Sequence, residues 1–121
     1  MTTTRVTHAT PAGSYAHTAF RDWEDDYAIS LDGVNTTVCS DIAEQLIERE
    51  PGKNFKVVMG GGRAYFTPES VVDPETLKGG RRLDGRNLVE EWKSNKPSGA
   101  YVTTRDELLQ LNLAETDSIF G

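Results

Sequence analysis

Apolar positions along this 121-residue chain come in short groups, separated by polar runs rich in turn formers. Residues 1–6 carry Thr2, Thr3, Thr4 and Val6, all residue types that fit a strand. Thr10-Pro11 predicts a helix start, because a hydroxyl caps a free backbone N–H and proline at the first helical position sacrifices no hydrogen bond. Ala12, Tyr15, Ala16 and Ala19 follow at helical spacing and predict a helix over 11–21. Residues 22–37 are acidic, include Asp32-Gly33, and read as a loop. Val38, Ile42, Leu46 and Ile47 make one face of a second helix, which Pro51-Gly52 terminates.

Phe55 to Met59 is a short strand running into Gly60-Gly61-Gly62. From Thr67 to Arg86 the chain carries Pro68, Pro74, Gly79, Gly80 and Gly85 with few apolar anchors. A structureless stretch of about 20 residues is unusual inside a compact domain and points to function or to missing neighbours. Leu88, Val89 and Trp92 mark a third helix, and Tyr101-Val102-Thr103 is strand-like. Thr104-x-x-Glu107 is a capping box opening a fourth helix through Leu108, Leu109 and Leu111. Residues 118–121 are again apolar and strand-like. Strands alternating with helices predict an α/β layer with a mostly parallel sheet. Such a sheet needs cover on both faces, yet only two or three short strands are found and both ends break off in strand-like sequence. The expectation is that residues 1–121 are an internal piece of a larger α/β domain, with no complete domain of their own.

Composition sharpens that picture. Leu, Ile, Val and Phe number 26 of 121 residues, only just above the roughly 20% at which disorder sets in, so the core is thin. The longest apolar runs, such as Val57-Val58-Met59, fall far short of the ~20 residues that span a bilayer. Met1-Thr2-Thr3-Thr4-Arg5 has no apolar stretch of the kind a signal peptide needs. A net charge of −6 without a Lys/Arg cluster argues against nucleic acid as a partner. Cys39 is the one cysteine, so no internal disulfide framework exists. It is a small buried apolar group, a reactive thiol, or half of a bridge to a cysteine elsewhere.

Few residue patterns carry chemistry. His8 and Thr10, two residues apart at a predicted helix start, fit either a plain helix cap with a polar neighbour or one side of a hard-cation or anion site. Arg21, at the predicted end of the same helix, is either a dipole partner or a two-pronged clamp for phosphate or carboxylate. Gly60-Gly61-Gly62-Arg63 lacks the spacing of a phosphate loop and reads as a tight turn with unusual backbone angles. Glu24-Asp25-Asp26 has no EF-hand spacing and reads as a solvated loop. Asn35-Thr36-Thr37 is a glycosylation sequon that matters only if the chain is exported. Two His and one Cys give no zinc pattern, and no Ser/His/Asp or Cys/His grouping is assignable.

Thr3 to Thr18 (TTRVTHATPAGSYAHT), followed by Arg21-Asp22-Trp23, closely resembles the animal-type alkaline phosphatases. The likeness continues through Cys39 to Ile47, Val57 to Arg63, Arg82 to Val89 and Glu91-Trp92-Lys93, in the family's order and approximate spacing. The resemblance implies a three-layer α/β/α fold with a central, mostly parallel sheet. It also implies hydrolysis of phosphate monoesters through a phosphoserine intermediate, with two Zn2+ and one Mg2+. Carried over residue by residue, Arg21 matches the phosphate-binding arginine, Thr10 the magnesium-ligating hydroxyl, and His8 the position that reaches magnesium through a water. Cys39 matches a cysteine bridged to an upstream partner outside this stretch. The nucleophilic serine and the zinc ligands of the family lie outside residues 1–121, so the chain is expected to be inactive and poorly folded alone. Family members of this type are usually dimeric and either secreted or lipid-anchored outside the cell. Two other readings of the residues are a small non-catalytic anion- or metal-binding module and an interaction domain that docks through exposed apolar surface.

Overall fold

Three short parallel strands lie at the centre of the fold: β1 (Val57–Val58), β2 (Gly99–Tyr101) and β3 (Ser118–Phe120), in the spatial order β1-β3-β2. The computed structural model describes residues 1–121. The last strand in sequence is thus the middle one in space, with Ile119 in register with Val57 on one side and Ala100 on the other. Ser118 and Phe120 of β3 are buried. The Phe120 ring meets those of Phe66, Trp92 and Tyr101 at centroid distances of 5.2, 5.5 and 5.6 Å, all tilted or edge-on as aromatic quadrupoles prefer.

Parallel neighbours need crossovers, and the helices supply them. α4 (Leu88–Asn95) lies between β1 and β2, and α5 (Arg105–Leu109) between β2 and β3. α3 (Ile42–Glu48) packs on α4, burying Ile42, Ala43, Leu46 and Ile47 against a layer that includes Leu88, Val89 and Trp92. Each of these helices starts where a side chain takes up a free backbone N–H. Asp41 accepts from Glu44 N at 2.8 Å, and Asn87 accepts from Glu90 N at 3.3 Å. Thr104 and Glu107 form the expected capping box, at 3.2 and 3.1 Å. The α/β class and the parallel sheet are as the sequence predicts.

Several elements differ from expectation. The predicted helix over 11–21 shrinks to α1 (Ala9–Ala12), with His8 at the N-cap position and Thr10 inside the helix rather than capping it. The chain leaves the helix because its peptide groups find other partners. The Gln45 side-chain oxygen accepts from His17 N at 2.9 Å, and the Gln45 amide donates to His17 O at 3.0 Å. Tyr15, buried, donates its hydroxyl to Val6 O at 2.9 Å. Residues 1–6 are no strand of the sheet but run beside the segment leaving β1, through a bridge pairing Arg5 with Gly61 and a hydrogen bond from Thr2 N to Met59 O at 2.8 Å.

The predicted loop 22–37 contains a helix, α2 (Asp26–Leu31), capped by Asp25. Val38 lies outside α3 and is exposed, as Leu111 lies beyond α5, and β2 begins two residues earlier than predicted. Residues 67–86 hold no helix or strand, yet they are tied down by bridges pairing Pro68 with Arg82 and Val72 with Gly79. That tie requires Gly80, where a Cβ would stand 2.0 Å from the carbonyl oxygen of Thr67. In urea unfolding of the longer polypeptide expected to carry this segment, Gly80→Ala should cost about 3 kcal/mol by overpacking. Gly13→Ala, where a Cβ meets nothing nearer than 3.5 Å, should change stability by less than about 1 kcal/mol.

Candidate functional site

The acidic run Glu24-Asp25-Asp26 is buried, with 3%, 0% and 5% of its surface exposed, and this overturns its reading as a solvated loop. Carboxylates survive burial only when paired or hydrogen-bonded, and each of the three finds partners from a distant segment. Asp25 accepts from Arg81 Nε at 2.7 Å, and Asp26 accepts from the backbone N–H groups of Leu83 and Asp84. The Arg81 guanidinium lies 4.8 Å from the Tyr65 ring and 5.1 Å from that of Tyr27.

Glu24 reaches the N-terminal segment. Its Oε2 accepts from Arg5 Nε at 2.9 Å and from the Thr7 hydroxyl at 2.6 Å. Its Oε1 takes Arg5 Nη2 at 2.7 Å and His8 Nδ1 at 2.8 Å. Burial alone would raise the Glu24 carboxyl, but the Arg5 and Thr7 hydrogen bonds and the Arg5 charge outweigh it and hold it below the usual carboxylate range. The Arg5 guanidinium is held protonated in turn, chiefly by its hydrogen bond to Glu24. An ionised carboxylate only accepts, so Nδ1 of His8 carries the proton in this contact. Nε2 is left facing outward, 3.4 Å from Arg21 Nη2.

His8 and Arg21, thirteen residues apart, are thereby brought together. Arg21 does not sit at a helix end as predicted. It lies in an exposed turn where Phe20 packs on Trp23 at 5.2 Å, and where Trp23 Nε1 donates to Asp32 at 2.7 Å. Its nearest carboxylate is Asp22, at 3.7 Å on the open surface, so most of its donor fork faces solvent. Thr10 is exposed on α1, two residues beyond His8, and lines the same groove as His8 and Pro11 beside the outer edge of β1. Ala9, between them, has φ +47°, a left-handed conformation that costs a Cβ-bearing residue about 1 kcal/mol.

The turn after β1 supports this arrangement. Gly62 has φ +104°, and Gly61 exchanges backbone hydrogen bonds with the segment bearing Arg5, at 2.8 and 3.0 Å. The glycine run is therefore the tight turn expected, and it holds the N-terminal segment in place. Cys39 is half-buried with a free thiol. Asn35 is exposed, and its side-chain oxygen accepts from the Thr37 backbone at 2.9 Å and the Thr37 hydroxyl at 2.8 Å.

The donor chemistry sets what the site can hold. No three His, Cys, Asp or Glu side chains cluster as a metal centre requires. The nearest acid to His8 already has both oxygens engaged. Thr10, His8 and Arg21 offer one hydroxyl oxygen, one imidazole nitrogen and one cationic fork. This set fits one corner of a hard-cation shell beside an anion and does not fit tetrahedral zinc, which needs three or four protein ligands.

The family model described as "Alkaline phosphatase" matches residues 1–121. The chain is 46% identical over 125 residues to the membrane-bound alkaline phosphatase of Bombyx mori. It is 44% identical over 128 residues to the tissue-nonspecific alkaline phosphatase of Gallus gallus, and 43% identical over 127 residues to an alkaline phosphatase of Gadus morhua. All three matches cover 100% of this chain and 22–26% of the relative, so the chain spans about a quarter of the length of these curated relatives.

The Glu24 pairing has a testable energetic consequence. A carboxyl depressed in the folded state contributes stability above its unfolded value, near 4.5, and loses it as pH falls through its lower folded value. Arg5→Met keeps much of the stem but strips the charge. It should cost about 2 kcal/mol at pH 7, and the difference from wild type should shrink at pH 4 as the variant's Glu24 takes up a proton. Urea unfolding of the longer polypeptide expected to carry this segment, at the two pH values, measures both.

Proposed function

The chain belongs to the alkaline phosphatase family, and on that premise we propose that it is an internal part of a phosphate-monoester hydrolase. The observation that carries this reading is the meeting of His8 Nε2 and Arg21 Nη2 at 3.4 Å, with Thr10 exposed in the groove that His8 also lines. Arg21 is the phosphate-binding residue: its open fork of N–H donors matches two phosphoryl oxygens at once. Thr10 supplies a hard oxygen ligand to magnesium, and His8 reaches the same ion through a water. When bound, the magnesium and two zinc ions of the family supply charge neutralisation and activation of the attacking oxygen. The serine that takes up the phosphoryl group and the ligands of the zinc ions belong to other parts of a longer polypeptide.

The same reading assigns the remaining residues. Cys39 pairs with a cysteine elsewhere in that polypeptide. The exposed Asn35 sequon carries a glycan if the protein is exported. One relative is membrane-bound by name, and a lipid anchor outside residues 1–121 is part of this reading. The complete enzyme acts as a homodimer at the cell surface or outside the cell.

Two outcomes are expected. The 121-residue chain alone, supplied with zinc and magnesium, should hydrolyse p-nitrophenyl phosphate no faster than buffer; metal-dependent turnover by the pure chain would refute the internal-part reading. In the complete enzyme, Arg21→Ala should raise the inhibition constant of inorganic phosphate about tenfold or more, a loss of ~1.4 kcal/mol or more, with metal content unchanged. An unaltered constant removes Arg21 from the site.

A further inference from the structure

We propose that Glu24 is a positioning residue for His8, selecting the imidazole tautomer that turns an unprotonated Nε2 toward Arg21 and the proposed magnesium-bound water. The inference rests on the phosphatase reading for its consequence, but its structural content stands on contacts within this chain. Four donors converge on the Glu24 carboxylate: two from Arg5, one from Thr7 and one from His8. A carboxylate has about four lone-pair sites, so the set is filled and no proton remains on the acid to offer back to the ring. His8 has one way to join it, donating from Nδ1. In the neutral ring Nε2 is then the acceptor, in keeping with the Arg21 donor 3.4 Å away, and its direction is set by where Oε1 sits.

Oε1 is well fixed. The backbone oxygen of Glu24 accepts from Ala43 N at 3.2 Å, which ties the residue to the first turn of α3. The next residue, Asp25, is wholly buried, caps α2 and is held by Arg81. Arg5 is backed by the Tyr65 ring, 5.3 Å from its guanidinium carbon. A carboxylate anchored on two helices thus orients a histidine whose other nitrogen faces the reaction site. Outer partners of this kind fix ring orientation near metals, and their loss typically costs 10–100-fold in metal affinity or activity.

The test uses the complete enzyme that carries this segment, with 15N-labelled histidine and the His8 signal assigned by its loss in His8→Ala. Wild type should show the Nδ1–H tautomer. Glu24→Gln, which keeps the shape but halves the acceptor sites, should move His8 to Nε2–H. The same substitution should raise the Mg2+ concentration for half-activation about tenfold. In a His8→Ala background, Glu24→Gln should have no further effect on that concentration, because Glu24 acts through His8. An unchanged tautomer in Glu24→Gln, or an equal effect with His8 absent, overturns the proposal. Should Glu24→Gln fail to fold, wild type decides: an Nε2–H tautomer there overturns it, and Nδ1–H supports it. Absence of phosphatase turnover in the wild-type enzyme would instead strike at the phosphatase reading, while the tautomer still reports on Glu24.

Discussion

Three consecutive carboxylates, Glu24, Asp25 and Asp26, are taken out of water, and much of the rest of the fold is arranged to make that tolerable. An unpaired buried carboxylate costs several kcal/mol, so each one recruits a different stretch of chain. Glu24 draws in residues 5–8, Asp25 draws in Arg81, and Asp26 draws in the peptide groups of Leu83 and Asp84. A fourth buried acid, Asp41, works the same way: it caps α3 and faces Arg82, which Asp84 holds from another side. These pairs tie the N-terminal segment and the long irregular stretch 67–86 to the helical layer. In a chain with so few large apolar residues, ionic ties do positional work that a thicker core would do by packing.

The site inherits its geometry from those ties. His8 is held from one side by Glu24 and faces Arg21 on the other, and both contacts depend on the chain abandoning α1 after Ala12. A helix continued to residue 21 would have carried Arg21 about 20 Å along the axis from His8. Gln45 prevents this by taking both peptide groups of His17. The arginine returns to the histidine through a turn stiffened by Phe20 and Trp23. A tight glycine turn after β1 holds the other flank of the N-terminal segment.

Under the proposed function the chain is a contributor to a larger site. Arg21 and His8 bring a cationic fork and an imidazole together, and Thr10 shares a groove with His8. Donors of these kinds suit a phosphoryl group and a hard, oxygen-preferring cation better than tetrahedral zinc. Membership of the alkaline phosphatase family, matched along the whole chain by relatives roughly four times longer, gives this partial set its context.

Features settled within a few residues of one another were legible from the amino acids. The capping box at Thr104 and Glu107 and the strand before Gly60 follow from local hydrogen bonding and period. So do the apolar faces of α3 and α4, and the candidates His8, Thr10 and Arg21 came from their likeness to the family. What the amino acids left open was decided across long separations. Glu24 meets its partners 16 to 19 residues away, Asp25 meets Arg81 at a separation of 56, and His17 meets Gln45 at 28. An acidic triplet has the same local pattern whether water or an arginine surrounds it. Whether a carboxylate is a solvated charge or a buried anchor depends on its dielectric surroundings, and those exist only once the chain has closed around it.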